Sequence, residues 1–259
     1  MPATDLPLLI AAAEAAGRVA LGYAGESAVR WDKPGGAGPV TEADIAVNDI
    51  LFETLRPARP DYGWLSEESE DNADRLSHDR VFIIDPIDGT RSFIEGSGTW
   101  AHSIAVSEAG QVTAAVIYLP QRNKLYAAAL GQGASLNGQP IRTSARQHLT
   151  DASVLAARPV ISPKHWHDEV VPDFTRAYRP SLAYRLSLVA EGRFDAMLTL
   201  HKTWEWDIAA GDLILREAGA VISDRTAQPL KFNNPVPKLN GVVAANPVLH
   251  AAMTKALAR

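Results

Sequence analysis

Asp85 and Asp88 stand three residues apart where an apolar run ends, in residues 81–96, VFIIDPIDGTRSFIEG. Carboxylates crowded in this way repel each other unless a cation neutralises them. Hard divalent cations such as Mg²⁺ favour oxygen ligands of this kind. Gly89 has no side chain, so the backbone there can approach a phosphate closely. The N–H groups of Gly89 and Thr90 fall at a helix start, where anions are cradled. The Thr90 hydroxyl can accept or pass on a proton of a water. D-P and D-G are also common turn dipeptides, so the same residues read equally as a solvated turn. Pro86 fixes its own φ and is expected to stop strand pairing and turn the chain.

Distant acids weigh on that choice. Asp44 falls in the first turn of a helix, Glu67 follows a strand-like piece, and Asp207 begins a helix after Trp206. Acids at strand ends and helix starts can share one cleft, because those ends line a common edge of a fold. If these converge, the result is an oxygen-rich site for more than one cation, suited to activating water and stabilising an in-line phosphoryl displacement. Glu70, Asp71 and Asp74 lie in an acidic run, SEESEDNAD, that reads as a solvated loop. His165 and His167 lie two apart on a Pro-flanked loop without a third ligand at a zinc spacing. Trp206 reads as core, Trp204 as a residue of the cleft mouth, and His201 as surface. Arg91 reads either as surface or as a contact to substrate.

The elements that must position these residues follow from periodicity and punctuation. Residues 6–23 read as an Ala- and Leu-rich helix stopped by Gly25. Residues 27–39 read as a hairpin or mobile loop. Thr41 is a good N-cap for a second helix with Glu42 and Asp44 in its first turn, Ile45, Leu51 and Leu55 in the core, and Pro57 and Pro60 at its end. HSIAVSE, VTAAVIYLP and KLYAAAL form an antiparallel meander, extended by a short edge strand in residues 131–144. From about residue 151 strands alternate with helices: SVLAARP, SLAYRLSLVAEG, FDAMLTL, WDIAAGDLILREAG, AVISD, GVVAAN and a last helix with Pro247 near its start. This change of pattern divides the chain into residues 1–148, with most of the candidate ligands, and residues 149–259, with Asp207 and the wall of the substrate pocket.

The 259 residues, 46% hydrophobic, suffice for a full core. With no cysteine there is neither a disulfide framework nor a thiolate ligand, which fits a reducing, cytoplasmic setting. The first residues carry Asp5 and Glu14 and no basic start, unlike a signal peptide. No run approaches the roughly 18 apolar residues of a membrane span. A net charge of −5 without a basic stripe argues against a nucleic-acid partner.

PVTEAD (39–44), LSEES (65–69), DPIDGT (85–90) and WDIAAG (206–211) resemble, in order and spacing, the motifs of the inositol monophosphatase superfamily of Mg²⁺-dependent, lithium-sensitive phosphatases. The resemblance covers residues 33–219. It implies an α+β fold, a layered α-β-α-β-α sandwich, and often a homodimer. It implies that Glu67, Asp85 and the Ile87 carbonyl hold one Mg²⁺, that Asp85, Asp88 and Asp207 hold a second, and that a third, weaker ion leans on Glu67. Thr90 paired with Asp44 would help activate the attacking water, and Gly89 and Thr90 would bind the phosphate of a small phosphorylated metabolite. Lys33 matches the lysine of a mobile hairpin that closes over the site. Ser181 and Arg185 fall beside the expected substrate pocket. There are departures: Ser66 replaces a Gly, Pro180, Ser181 and Leu182 replace a Gly-Thr/Ser-Ala segment, and Leu200, or Thr199 with a one-residue insertion, replaces a Glu that touches inositol hydroxyls. PVTEAD and LSEE look closer to bisphosphate nucleotidases, DPIDGTRSF and WAHSIAV closer to inositol or histidinol phosphatases.

Overall fold

The structure is a computed structural model that describes residues 5–23, 28–36 and 38–258; Gly25, the expected helix stop, lies outside them. Helix α1 (Leu6–Gly22) buries Leu9, Ala12, Ala13, Ala16 and Ala20. Small residues at helical spacing let it lie close on the sheet beneath. Strands β1 (Arg30–Asp32) and β2 (Pro39–Thr41) pair antiparallel and lead into α2 (Glu42–Ala58). Thr41 and Asp44 form a reciprocal capping box at the start of α2. Ala43, Val47, Leu51 and Leu55 make its buried ridge, while Ile45 is only half-buried. Pro57 does not end α2 but sits inside its last turn.

Strands β3 (Gly63–Ser66), β4 (Arg80–Asp88), β5 (Ala101–Glu108), β6 (Gln111–Leu119), β7 (Lys124–Ala129), β8 (Ala134–Leu136) and β9 (Gln139–Pro140) form one seven-stranded sheet in that order. The meander from β4 to β9 is antiparallel as expected, but β3 joins β4 in parallel. Successive side chains of a strand point to opposite faces. Val81 and Ile83 of β4 therefore enter one core, and Phe82 and Ile84 the other. Both faces are covered, which is why the run is apolar at every position.

Pro86 does not end β4. Asp85 pairs with Ser103 and Asp88 with Ala101, so three steps on β4 oppose two on β5. The extra residue is a β-bulge, the one place within a strand where a proline's missing N–H is tolerated. The turn comes later, at Gly89, before α3 (Thr90–Ile94).

The rest of the chain adds three layers. A five-stranded mixed sheet is built from β10 (Ser153–Ala156), β11 (Thr175–Ala177), β12 (Ala196–Thr199), β14 (Val221–Ser223) and β16 (Val242–Ala245), in the order β11-β10-β12-β16-β14. Helices α4 (Leu182–Ala190) and α5 (Ala209–Glu217) lie between the two sheets. Gly211 fixes their contact, since a Cβ there would meet Leu186 at 2.4 Å. A small ribbon of β13 (Thr203–Trp204) and β15 (Lys238–Leu239) precedes and follows α5 in the chain. Helix α6 (Pro247–Ala256) covers the outer face of the second sheet with Leu249 and Met253. The order is α1 and α2, sheet, α4 and α5, sheet, α6, the expected α-β-α-β-α sandwich of an α+β protein.

Candidate active site

Strand and helix ends bring the acids together. Glu67 follows β3, and its N–H donates to the Ile84 carbonyl of β4 at 3.1 Å. Asp85 and Asp88 flank the bulge, and Asp207 precedes α5. Glu67, Asp85 and Asp207 each offer one carboxylate oxygen, all within 4.8 Å of one another. Asp85 is 1% exposed, and its Oδ1 has no hydrogen-bond partner. A buried, unpaired carboxylate oxygen is costly, and its neighbours make it costlier. Burial first, then Glu67, Asp88 and Asp207, push the Asp85 carboxyl well above the usual range. Burial, Asp88 and Glu67 do the same to Asp207.

Asp88 is better served. Its Oδ2 accepts the Ser181 hydroxyl and the Ala183 N–H, each at 2.6 Å. Burial pushes it up to about 6, with these bonds and the Arg185 charge opposing the rise. Ser181 caps α4 with a φ of +65° and also accepts the Tyr184 N–H at 3.0 Å. Its hydroxyl thus ties the start of α4 to the end of β4. Gly89 has a φ of +100°, and a Cβ there would lie 3.3 Å from the Thr99 carbonyl. A side chain at this turn would meet both backbone strain and a close neighbour.

The Thr90 hydroxyl lies 3.2 Å from Asp44 Oδ1 and 3.3 Å from the Ile87 carbonyl. It has one proton to give and lone pairs left to accept another. Asp44 cannot swing away, because its Oδ2 accepts the Thr41 N–H at 2.8 Å and the Thr41 hydroxyl at 2.6 Å. Burial raises the Asp44 carboxyl, and the Thr41 bonds partly offset that.

Lys33, in the β1–β2 hairpin, donates to Glu67 Oε1 at 2.8 Å and Glu68 Oε1 at 2.6 Å. Burial opposes its charge, but the two glutamates outweigh burial and hold the ammonium above its ordinary value. Burial pushes Glu68 up to about 7, with Glu67 adding to the rise and Lys33 opposing it. The position of Ser66 has a use of its own, since its hydroxyl donates to Asn48 Oδ1 at 2.7 Å and binds β3 to α2.

Sequence reasoning missed the groups that hold the ligand-bearing backbone. The buried His102 ring contacts the Pro86 carbonyl through Nδ1, at the bulge. The Ser103 hydroxyl donates to the Trp206 carbonyl at 2.8 Å and draws the Asp207 segment onto β5. Two adjacent polar residues at the start of a strand whose middle is apolar were the available signal. Asp71 stays exposed, as the acidic run predicts, and pairs from there with the buried Arg75 at 2.6 Å. Trp206 is buried, Trp204 is exposed, and they stack with centroids 4.6 Å apart. His201 and His167 are exposed, and the acidic trio, the cluster among the described residues that could hold a metal ion, contains no histidine.

Burial moves His102 from 6.5 to about 4. Between those values the unfolded chain takes up the proton and the folded chain does not, so His102 costs stability as pH falls through that window. His102→Gln should therefore lose less of its urea midpoint between pH 7 and pH 5 than the parent does. An equal or larger loss would show that burial does not hold this ring neutral.

These oxygens can hold hard cations, and the adjoining hydroxyl–carboxylate pair can handle a water proton. Comparison with known proteins places the chain in a family. Residues 3–259 match the profile of the inositol monophosphatase family. Inositol-1-monophosphatase of Mesorhizobium japonicum is 36% identical over 230 residues, covering 84% of this chain and 82% of its own. Nus factor SuhB of Escherichia coli K12 is 34% identical over 259 residues, covering 96% and 93%. Extragenic suppressor protein suhB from Bartonella henselae superposes with a TM-score of 0.82 at 30% identity, covering 97% of each chain. The IMPase of Thermotoga maritima superposes with a TM-score of 0.80 at 26% identity, covering 98% of this chain and 96% of its own. Fold and chemistry define a phosphoric monoester hydrolase. The chain belongs to the inositol monophosphatase family.

Proposed function

We propose that the chain hydrolyses a small phosphate monoester, of the inositol monophosphate or 3′-phosphoadenosine 5′-phosphate type, with Mg²⁺ bound by Glu67, Asp85, Asp88, Asp207 and the Ile87 carbonyl. One observation carries this reading: Asp85 is buried, repelled by its neighbours and left with an unpaired oxygen, an arrangement that a cation relieves. The donor set is all oxygen, which suits Mg²⁺. When bound, the ions supply positive charge for the phosphate oxygens and make a water acidic enough to attack.

The chain's own residues do the rest. Thr90 and Asp44 orient the water and take its proton, Asp44 being fixed by the cap of α2. The first N–H groups of α3, from Gly89 and Thr90, have no acceptor within the helix and are offered to phosphate oxygens. Ser181 and Ala183 hold Asp88 in place. Lys33 screens Glu67 and Glu68 and lies on the hairpin nearest the phosphate. No covalent nucleophile is needed. Leu200 supports a substrate other than a free inositol ring, since the strand end before β13 offers no carboxylate to ring hydroxyls.

Phosphate release from inositol 1-phosphate, 3′-phosphoadenosine 5′-phosphate, histidinol phosphate and fructose 1,6-bisphosphate should be absent in excess EDTA. It should return with millimolar MgCl₂ for at least one substrate and fall when LiCl is added. Full release in the chelator would sink the metal assignment. The Escherichia coli relative is named Nus factor SuhB, which for this chain raises a partner-binding role. Such a role gives the mutually repelling carboxylates no use, and catalysis does.

A further inference from the structure

Hydrolysis of a simple monoester leaves one buried charge of the cleft without a task. Arg185 lies on α4, four residues beyond Ser181, on the helix whose first turn supplies two donors to Asp88. It is only 9% exposed, and its Nε is shut from solvent with no acceptor. Among the described residues no hydrogen bond or ion pair reaches its guanidinium. Its one close partner is the Tyr178 ring, whose centre lies 5.0 Å from the guanidinium carbon. Tyr178 is 49% exposed, so the stacked pair reaches from the buried helix toward solvent. A buried guanidinium ordinarily ends on a carboxylate in a two-pronged contact. Asp88 and Asp207 are close enough to feel the charge. Asp88 Oδ2 is already taken by Ser181 and Ala183, and Arg185 forms no ion pair with Asp88. Asp207 is drawn into the cluster with Glu67 and Asp85. A fork of donors is thus held over an aromatic ring, near the acids, with no acceptor among the described residues.

We propose that Arg185 binds a second phosphate of the substrate, carried on the part of the molecule that leaves, and so selects doubly phosphorylated monoesters. This rests on reading the cleft as a phosphatase site. A planar guanidinium matches two phosphate oxygens at once, and the ring beneath it removes the freedom it would otherwise lose on binding. A different role would be to balance the charge of Asp88, which would serve every substrate alike. The two roles part when substrates differ only in the second phosphate.

The test measures kcat and KM for the Mg²⁺-loaded full chain on two matched pairs: adenosine 3′,5′-bisphosphate against adenosine 3′-monophosphate, and fructose 1,6-bisphosphate against fructose 1-phosphate. The parent should prefer the doubly phosphorylated member of at least one pair by about tenfold or more in kcat/KM, the usual scale of a charge-assisted contact. R185Q should erase that preference, mainly through KM. R185K keeps the charge but not the fork, and should keep part of the preference; it also serves where R185Q does not fold. No preference in the parent for either pair overturns the proposal. So does an equal loss on both members of a pair in R185Q, which is the signature of charge balance. Absence of Mg²⁺-dependent release from all four compounds instead overturns the phosphatase reading beneath it.

Discussion

Asp85→Asn should make the metal-free protein more stable and the enzyme inactive. The sign follows from where the carboxyl sits. Burial and the facing acids hold Asp85 well above the usual range, so the folded chain binds a proton there more tightly than the unfolded chain does. Such a group's contribution is present below the unfolded-state value and is lost as pH rises from there toward the folded one. The substitution removes the charge and supplies an amide N–H that can donate to a facing carboxylate. In EDTA at pH 7.5 the melting temperature should rise by about 2–8 °C, the scale of one or two kcal/mol in a chain of this size. The melting shift produced by MgCl₂ in the parent should shrink or vanish. Phosphate release should fall at least about 10³-fold, since several kcal/mol of charge stabilisation is lost. Calorimetry with and without Mg²⁺, beside a phosphate assay, checks both halves. A drop in the EDTA melting temperature would mean that Asp85 is there for the fold and not for a cation.

Thr90→Val should spare the fold and the cation response while removing most turnover. The isostere keeps the shape but loses the hydroxyl that lies 3.2 Å from Asp44 Oδ1. Losing a positioned proton acceptor typically lowers turnover by about 10²–10⁴-fold. The change should appear in kcat with KM little altered, because the backbone N–H groups that receive phosphate remain. Thr90→Ser retains the hydroxyl and should recover turnover to within about tenfold of the parent. If Thr90→Val turns over normally, the Thr90–Asp44 pair is only a tie between α3 and α2. The companion change Asp44→Asn would be harder to read. Asp44 also accepts the Thr41 N–H and hydroxyl, so that variant weakens the cap of α2 as well as the chemistry.

How far residues could be read without the fold depended on the range of the physics involved. The apolar run of 81–84 and the Thr41 N-cap are local, and each was legible from a few neighbours. The bulge was not. Pro86 reads as a chain stop from its missing N–H, yet β5 supplies a His102 contact to its carbonyl and absorbs the extra residue. Nothing near Pro86 in the chain announces a partner sixteen residues on. The same holds for Arg75, which is buried beneath the acidic run and ion-paired there with Asp71, itself exposed as the charge run predicts. Ile45 shows the reverse error, since helical spacing permits it in the core and the packing of α2 on the sheet leaves it half-buried.

The sequence by itself determined the residue types of the cleft: carboxylates at three strand or helix ends, a glycine where the backbone needs a positive φ, a threonine beside it, and the family those motifs belong to. It could do so because caps, turns and alternation act over a few residues. Only the tertiary structure decided that Glu67, Asp85 and Asp207 converge within 4.8 Å, that Ser181 closes on Asp88, and that Lys33 reaches Glu67 and Glu68. Convergence depends on how two sheets and two pairs of helices stack, through contacts separated by tens to more than a hundred residues. It also decided that Arg185 is buried with its Nε lacking an acceptor, the observation on which the proposed choice of substrate rests.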